Sequence, residues 1–227
     1  VKYNVPTVKF TGGQRLDMLG VKKEQLAPMW QDLNDCGFVS GQAYAKGLRT
    51  VKTCVGNVWC RFGTQDAMNM GITIEKLTWG SWTPHKFKIA VSGCPRNCAE
   101  ATIKDLGIIG VDSGWEISIA GNGGIKVRVT DFLCKVESDE ELLTYVKAFM
   151  QFYREDAYYL ERTAHWIERV GLQYVKDVMF DKEKREYYAK RFEISQESAQ
   201  VDPWAKAIED GTTKEFTSIV INPEESH

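Results

Sequence analysis

Four of the six cysteines stand in two pairs, Cys54 with Cys60 in TCVGNVWC and Cys94 with Cys98 in SGCPRNC. Four thiolates are the ligand set of an iron–sulfur cluster. Tetrahedral zinc takes cysteines from one tight knuckle, C-x2-C to C-x4-C, and the five residues between Cys54 and Cys60 exceed that gap. A cube of four irons and four sulfides presents separated corners, so a wide pair and a C-x3-C pair can each span an edge. The 33 residues between the pairs suit ligands supplied by two separate elements. Disulfides need an oxidising compartment. The sequence shows no signal peptide, membrane span or lipidation motif, although it begins with Val1 rather than Met, and the expectation is a cytoplasmic protein. Spacing alone puts the cluster first and leaves zinc, a disulfide and inert thiols open.

Cations gather around these pairs. Lys46, Arg49 and Lys52 precede the first, Arg61 follows it, and Lys86, Lys88 and Arg96 flank the second. Such a group suits an anionic cofactor or substrate, with a solvated rim as the alternative. The whole chain, at 227 residues, net charge −2 and pI 6.0, has no global basic field, which excludes nucleic acid as a main partner. Its 43% hydrophobic and 26% charged residues can bury one large core or two small ones.

The elements that must position the cysteines read as α+β. Residues 5–11 form a strand, Gly12-Gly13 a turn, and 23–36 an amphipathic helix with Leu26, Met29, Trp30 and Leu33 on one face. Residues 65–77 read as a helix and 87–91 as a strand. Helical character at 99–104 would set the second cysteine pair at a helix N-terminus, whose free N–H groups favour anionic sulfur. Strands at 107–111 and 115–120 flank Asp112-Ser113-Gly114, and a third at 126–130 follows Gly121-Asn122-Gly123-Gly124. That glycine loop lies between strands with no helix after it, so it fails the dinucleotide test. Electrons must therefore come from outside the chain. Ser138 opens a capping pattern with Leu142, Leu143, Val146, Phe149 and Met150 as the buried stripe. Helices are expected over 158–170, 172–178 and 182–192, and an extended polar tail from Glu193.

The runs RTVKTCVGNVWCRFG, KFKIAVSGCPRNCAEA, DLGIIG and GWEISIAGNGG resemble the sirohaem and [4Fe–4S] domain of the nitrite and sulfite reductase family. Within it they are most similar to the C-terminal sirohaem domain of the large-subunit, assimilatory NAD(P)H-dependent nitrite reductases. VPTVKFTGGQRLDMLGV resembles the ferredoxin-like half-domain that precedes it, and the likeness covers roughly residues 1–180. The resemblance implies a ferredoxin-like half-domain over 1–46, a mixed or antiparallel sheet with helices over 47–180 holding both cofactors, and a helical extension with a polar tail over 181–227. It implies metal ligation by Cys54, Cys60, Cys94 and Cys98, with Cys98 also bridging the cluster to the sirohaem iron.

The implied reaction is the six-electron reduction of nitrite to ammonia, with sulfite reduction the nearest alternative. A non-catalytic module that holds zinc or a cluster for structure or electron transfer is the other reading. Cationic side chains would hold the anion and deliver protons. Lys86 and Lys88 match the family's K-x-K, and Arg49 and Arg15 lie near its arginines. Arg61, Arg96, Lys52, Asn122 and Arg128 are candidates to hold the eight-carboxylate sirohaem. The implied partners are nitrite, the remainder of a large subunit carrying FAD and NAD(P)H sites, and a Rieske-like small subunit. A homodimer in which Lys86 and Lys88 of one chain face the sirohaem of the other is also expected. Cys36 and Cys134 read as buried apolar residues. His85 adjoins the K-x-K and can touch a cofactor carboxylate; His165 lies among helical aromatics and His227 ends the chain.

Overall fold

The first strand, β1 (Thr7–Phe10), pairs antiparallel with β2 (Leu16–Leu19) in a computed structural model that describes residues 2–212. The turn between them closes where Thr11 N–H donates to Arg15 O at 2.8 Å. A 3-10 turn at Lys23–Gln25 leads into α1 (Leu26–Asp35). These residues, up to Gly41, form one compact unit with the described residues from Val201 onward, and 42–200 form another. Inside the smaller unit Trp30 stacks on Trp204 with centroids 5.9 Å apart, and Asn34 donates to Asp202 at 2.7 Å. The sequence reading missed β2, whose four-residue LDML run is too short to display a period.

The larger unit is built on β3 (Leu48–Thr53), α2 (Gly56–Trp59), α3 (Ala67–Thr78), β4 (Phe87–Ser92), β5 (Leu106–Val111) and β6 (Gly114–Ile119). After these come a two-residue pair, β7 (Asn122–Gly123) with β8 (Val127–Arg128), and then β9 (Asp131–Val136). The sheet order is β3-β4-β5-β6-β9, parallel from β3 to β5 and antiparallel from β5 to β9. The mixed sheet with helices, and the α+β class, are as expected. The strand expected at 126–130 is reduced to β8.

Bulges explain why periodicity missed β3 and β9 of this sheet. Between Leu48 and Val51 the register slips against β4, and Leu133 is the extra residue where β9 pairs with β6. A bulge breaks the alternation of two that marks a strand. Glu75 on α3 repairs the first by accepting from the Val51 N–H at 2.6 Å.

One face of the sheet carries the core. Phe87, Ile89 and Val91 of β4 point into it with Leu106, Ile108 and Ile117, each at most 1% exposed. Against them lies α4 (Asp139–Asp156), capped as expected by Ser138, whose hydroxyl accepts from the Glu141 N–H. Leu142, Val146, Phe149 and Met150 are fully buried, as the stripe predicted, whereas Leu143 is only half-buried and packs at the edge of the core. Then follow α5 (Thr163–Val170), α6 (Leu172–Phe180) and α7 (Lys182–Ala199). Trp166 of α5 rests against Phe149 and Phe152, and Phe192 of α7 is fully buried. Each such side chain stabilises the fold by about 1.5–3 kcal/mol relative to exposure.

Three expectations are corrected. No α-helix forms over 99–104, where a single 3-10 turn spans Ala101–Ile103. Residues 158–162 precede α5 as a loop, with Leu160 at φ 65°. No extended tail begins at Glu193: α7 continues to Ala199 because Phe192 and Gln196 are buried, and Asp202 then caps α8 (Pro203–Glu209). Residues 213–227, His227 among them, lie outside the described residues.

Candidate functional site

Cys54 and Cys94 come together because their loops leave the same ends of neighbouring parallel strands. Thr53 of β3 pairs with Val91 of β4, so the chain emerges from both strands side by side. Cys54 N–H then donates to Val91 O at 3.2 Å, and Gly93 N–H donates to Cys54 Sγ at 3.1 Å. After the short α2, Cys60 N–H returns to Gly56 O at 3.0 Å. The chain folds back so that Thr64 and Gln65 N–H both donate to Gly93 O, at 2.7 and 3.0 Å.

Three glycines make this packing possible. A Cβ on Gly63 would stand 2.4 Å from Asn57 Cα, one on Gly93 2.8 Å from Gln65 O, and Gly56 sits at φ +68°. The three are the sterically required residues of the site, and the sequence reading did not single them out.

The second loop is locked by Asn97. Its Oδ1 accepts from Ala101 N–H at 2.6 Å and from Ser92 Oγ at 3.3 Å, while its Nδ2 donates to Thr102 Oγ1 at 2.7 Å. Ser92 Oγ in turn accepts from Ala99 N–H at 3.1 Å. Side-chain bonds of this kind compete with helical ones, and Asn97 and Glu100 both adopt left-handed φ, 55° and 60°. That is why the expected helix does not form. The N–H offered to sulfur comes from the Gly93 backbone instead of a helix end.

The product is one cavity of about 260 Å³ lined by Cys54, Cys60, Cys94 and Cys98 with Val55, Gly56, Gly63, Gly93 and Arg96. All four thiols are free; Cys94 is buried, Cys54 and Cys60 half-buried, Cys98 exposed. Among the described residues no three His, Cys, Asp or Glu side chains converge as one metal ion requires. Four thiols around a space of this size fit a multi-iron cluster better than a single zinc. Of the other cysteines, Cys134 is buried as expected and its thiol is pushed up to about 11 by burial, whereas Cys36 is exposed, contrary to expectation. It follows the last residue of α1, where the chain has turned to the surface.

The candidate cations separate by surroundings. Arg61 and Arg96 both lie over the Phe62 ring, 4.5 and 3.8 Å from its centroid. Lys52 and Lys104 share the Glu100 carboxylate, each at 3.1 Å, and hold that carboxyl below its ordinary range. Lys88 shares a face of β4 with Ala90 and Ser92, opposite the core, about 13 Å from Ser92 along the strand. Its pKa is lowered by burial first, then by Arg162, with Lys104 and Lys86 adding to the effect against Asp105. Lys86 lies one residue before β4, its N–H donating to His85 Nδ1 at 2.8 Å. Burial, Arg162 and Lys86 together lower the His85 pKa.

Arg49, Arg128 and Asn122 have partners in their own loops. Arg49 donates to the Ala43 and Tyr44 carbonyls, at 2.6 and 3.1 Å. Arg128 spans the β7–β8 hairpin, donating to Ala120 O at 2.8 Å and pairing with Asp131 at 2.7 Å, and Asn122 closes the same hairpin on Lys126 O. Arg15 ends the β1–β2 turn in the smaller unit.

The sequence reading also missed Asp105. This carboxylate is fully buried and accepts from Arg162 through two nitrogens, from Thr163 Oγ1 at 2.5 Å and from Lys88 N–H at 2.9 Å. Burial pushes its carboxyl up, and Arg162 and Thr163 oppose that. An aspartate closing a loop before a strand carries no signal that sets it apart in sequence.

Residues 44–187 match the family model described as the nitrite and sulphite reductase 4Fe-4S domain. The chain is 54% identical over 221 residues to a nitrite reductase [NAD(P)H] of Bacillus subtilis, covering 97% of this chain and 27% of that protein. It is 35% identical over 178 residues to an assimilatory-type sulfite reductase of Nitratidesulfovibrio vulgaris, covering 78% of this chain and 80% of that one. Thus the chain spans about a quarter of the first relative and most of the second. The fold resembles that of dissimilatory sulfite reductase I, with a TM-score of 0.69 at 14% identity over 78% of this chain and 62% of that one.

Proposed function

The chain belongs to the nitrite and sulphite reductase 4Fe-4S domain family, and from that premise we propose that it is the part of an NAD(P)H-dependent enzyme that reduces nitrite to ammonia. The observation that carries the reading is the single cavity lined by four cysteines from two loops far apart in sequence. Those thiolates hold the [4Fe–4S] cluster. Cys98, the exposed member of the set, is free to serve a second iron, that of sirohaem.

When bound, the two groups supply single electrons and an open iron position for the substrate nitrogen. The protein's own part is charge and protons. Lys52, Lys86, Lys88 and Lys104 give the positive ground that a polycarboxylate macrocycle and a small anion both need. Lys88, its ammonium made more acidic by burial and by Arg162, releases a proton to the departing oxygen more readily than an exposed lysine. Asp105 fixes the Lys88 backbone while it neutralises Arg162. FAD and NAD(P)H are assigned to sites outside these 227 residues, a Rieske-like subunit and a second copy of the chain being the further partners of this reading.

The test is anaerobic reconstitution with iron, sulfide and sirohaem, followed by nitrite turnover with reduced methyl viologen. Ammonium as product and a Soret band are expected; a colourless protein that binds zinc in the four-cysteine site refutes the reading. Sulfite belongs in the same assay as a second substrate, because a relative of which this chain covers 80% is named a sulfite reductase.

A further inference from the structure

The K-x-K overhangs the end of its neighbouring strand. Leu106, the first residue of β5, pairs with Ile89, so β5 starts too late to offer Lys88 or Lys86 a carbonyl. Phe87 N–H finds Gly47 O at 2.9 Å on the β3 side. In an extended chain the amides on either side of it point the other way, toward β5. Side chains take them instead: Asp105 Oδ2 accepts from Lys88 N–H at 2.9 Å, and His85 Nδ1 accepts from Lys86 N–H at 2.8 Å. An unpaired backbone N–H away from water is costly, so both acceptors matter to the backbone that carries the lysines. A neutral imidazole has one N–H; with Nδ1 accepting, the hydrogen sits on Nε2, and the Ala45 carbonyl takes it. Thr83 Oγ1 donates to His85 O at 2.5 Å, and the His85 backbone also bonds Tyr153. Both ring nitrogens are therefore engaged by the chain's own backbone.

We infer that neutral His85 is the positioning residue for Lys86, and that turnover fails on the acid side when a proton on Nδ1 removes the acceptor that the Lys86 N–H uses. The inference rests on the reading of Lys86 and Lys88 as the pair that holds the anion. An imidazolium has two N–H donors and no acceptor. Its Nδ1–H would meet the Lys86 N–H head on, so the segment from Thr83 to Lys86 has to move, and the lysines leave the geometry that a small anion needs. Most of the groups around the ring oppose that proton. Burial, Arg162 ahead of α5 and Lys86 itself disfavour a positive ring, while Asp105, already paired with Arg162, favours it; Tyr153 of α4 is the remaining titratable neighbour. The neutral ring therefore persists to lower pH than an exposed histidine allows. Acid and alkali thus act on the two lysines from different sides, acid through His85 and alkali at Lys88.

The chain has three histidines, so their ring nitrogens can be read one by one in the full 227-residue protein. In a long-range proton–nitrogen correlation spectrum at about pH 7, the signal missing from His85→Asn should be that of an Nε2–H tautomer. Hydrogen exchange at the Lys86 amide should quicken about tenfold or more in His85→Leu, which offers no acceptor, and return to within about threefold of the parent in His85→Asn, whose Oδ1 accepts in place of Nδ1. In the reconstituted protein His85→Leu should lower kcat for nitrite about tenfold, and His85→Asn should restore most of it while removing the acid limb, since an amide does not titrate. An Nδ1–H tautomer, Lys86 exchange unchanged in His85→Leu, or an acid limb intact in His85→Asn overturns the inference. Should His85→Leu not fold, the tautomer and the His85→Asn pH profile still decide it. A parent protein inert toward nitrite and sulfite after reconstitution refutes the reductase reading instead, and the tautomer and the exchange rates then decide alone whether His85 positions Lys86.

Discussion

The N–H of Gly93 donates to the sulfur of Cys54, a residue 39 positions earlier, and this bond ties together the two loops that carry all four candidate ligands. It exists because β3 and β4 run parallel and adjacent, with both loops leaving at one end of the sheet.

Gly93→Ala should therefore disable the site without touching a cysteine. The added carbon would stand 2.8 Å from Gln65 O and 2.9 Å from Gly56 Cα, backbone atoms that cannot swing aside. We expect less than half the parent iron uptake on reconstitution, with far-UV circular dichroism retained. Full iron content in this variant would show that the loops tolerate the displacement.

Substitution among the cysteines should divide them in two classes. Alanine at Cys54, Cys60 or Cys94 should abolish the broad absorption of the cluster, and Cys98→Ala should also abolish electronic coupling to the haem in the holoprotein. Cys36→Ser should change neither, because that thiol is not among the residues lining the four-cysteine cavity. Cys134, held protonated by burial, should resist iodoacetamide in the native protein at pH 8, which peptide mass spectrometry reads directly.

Asp105→Asn should be costly because it leaves Arg162, whose side chain is only 14% exposed, without its counter-charge. Breaking a buried pair from one side destabilises by about 3–5 kcal/mol. Urea unfolding should show that loss, and Arg162→Met added to Asp105→Asn should recover part of it. Additive losses would mean that the two residues do not act as a pair.

Lys88 should set the alkaline limb of turnover. Burial and Arg162 put its pKa below the ordinary lysine value, so the ammonium form is lost, as pH rises, earlier than for an exposed lysine. The rate should fall over the same interval, at lower pH than an exposed lysine would allow. Lys88→Arg keeps the charge but cannot release the proton, so KM for nitrite should hold while kcat drops about 100-fold and the limb moves to higher pH. An unaltered pH profile would remove Lys88 from proton delivery.

How much of this was written in the chain depends on the kind of signal. Residue type and spacing pointed to the chemistry: C-x5-C and C-x3-C in one chain ranked a cluster ahead of a zinc knuckle, and the stripe of Leu142, Val146 and Phe149 marked α4. Local bonding rivals that spacing cannot reveal decided other elements, as where Asn97 captures the Ala101 N–H and removes a helix. Bulges at β3 and β9 erased the alternation that would have announced them.

By itself, then, the sequence determined which atoms could bind iron, because ligand identity and loop length are properties of the chain. Only the tertiary structure decided that Cys54 and Cys94 meet and that Asp105 stands beneath Lys88. Those facts depend on strand order and on which side of the sheet the helices cover, and both are set by contacts between residues far apart in the chain.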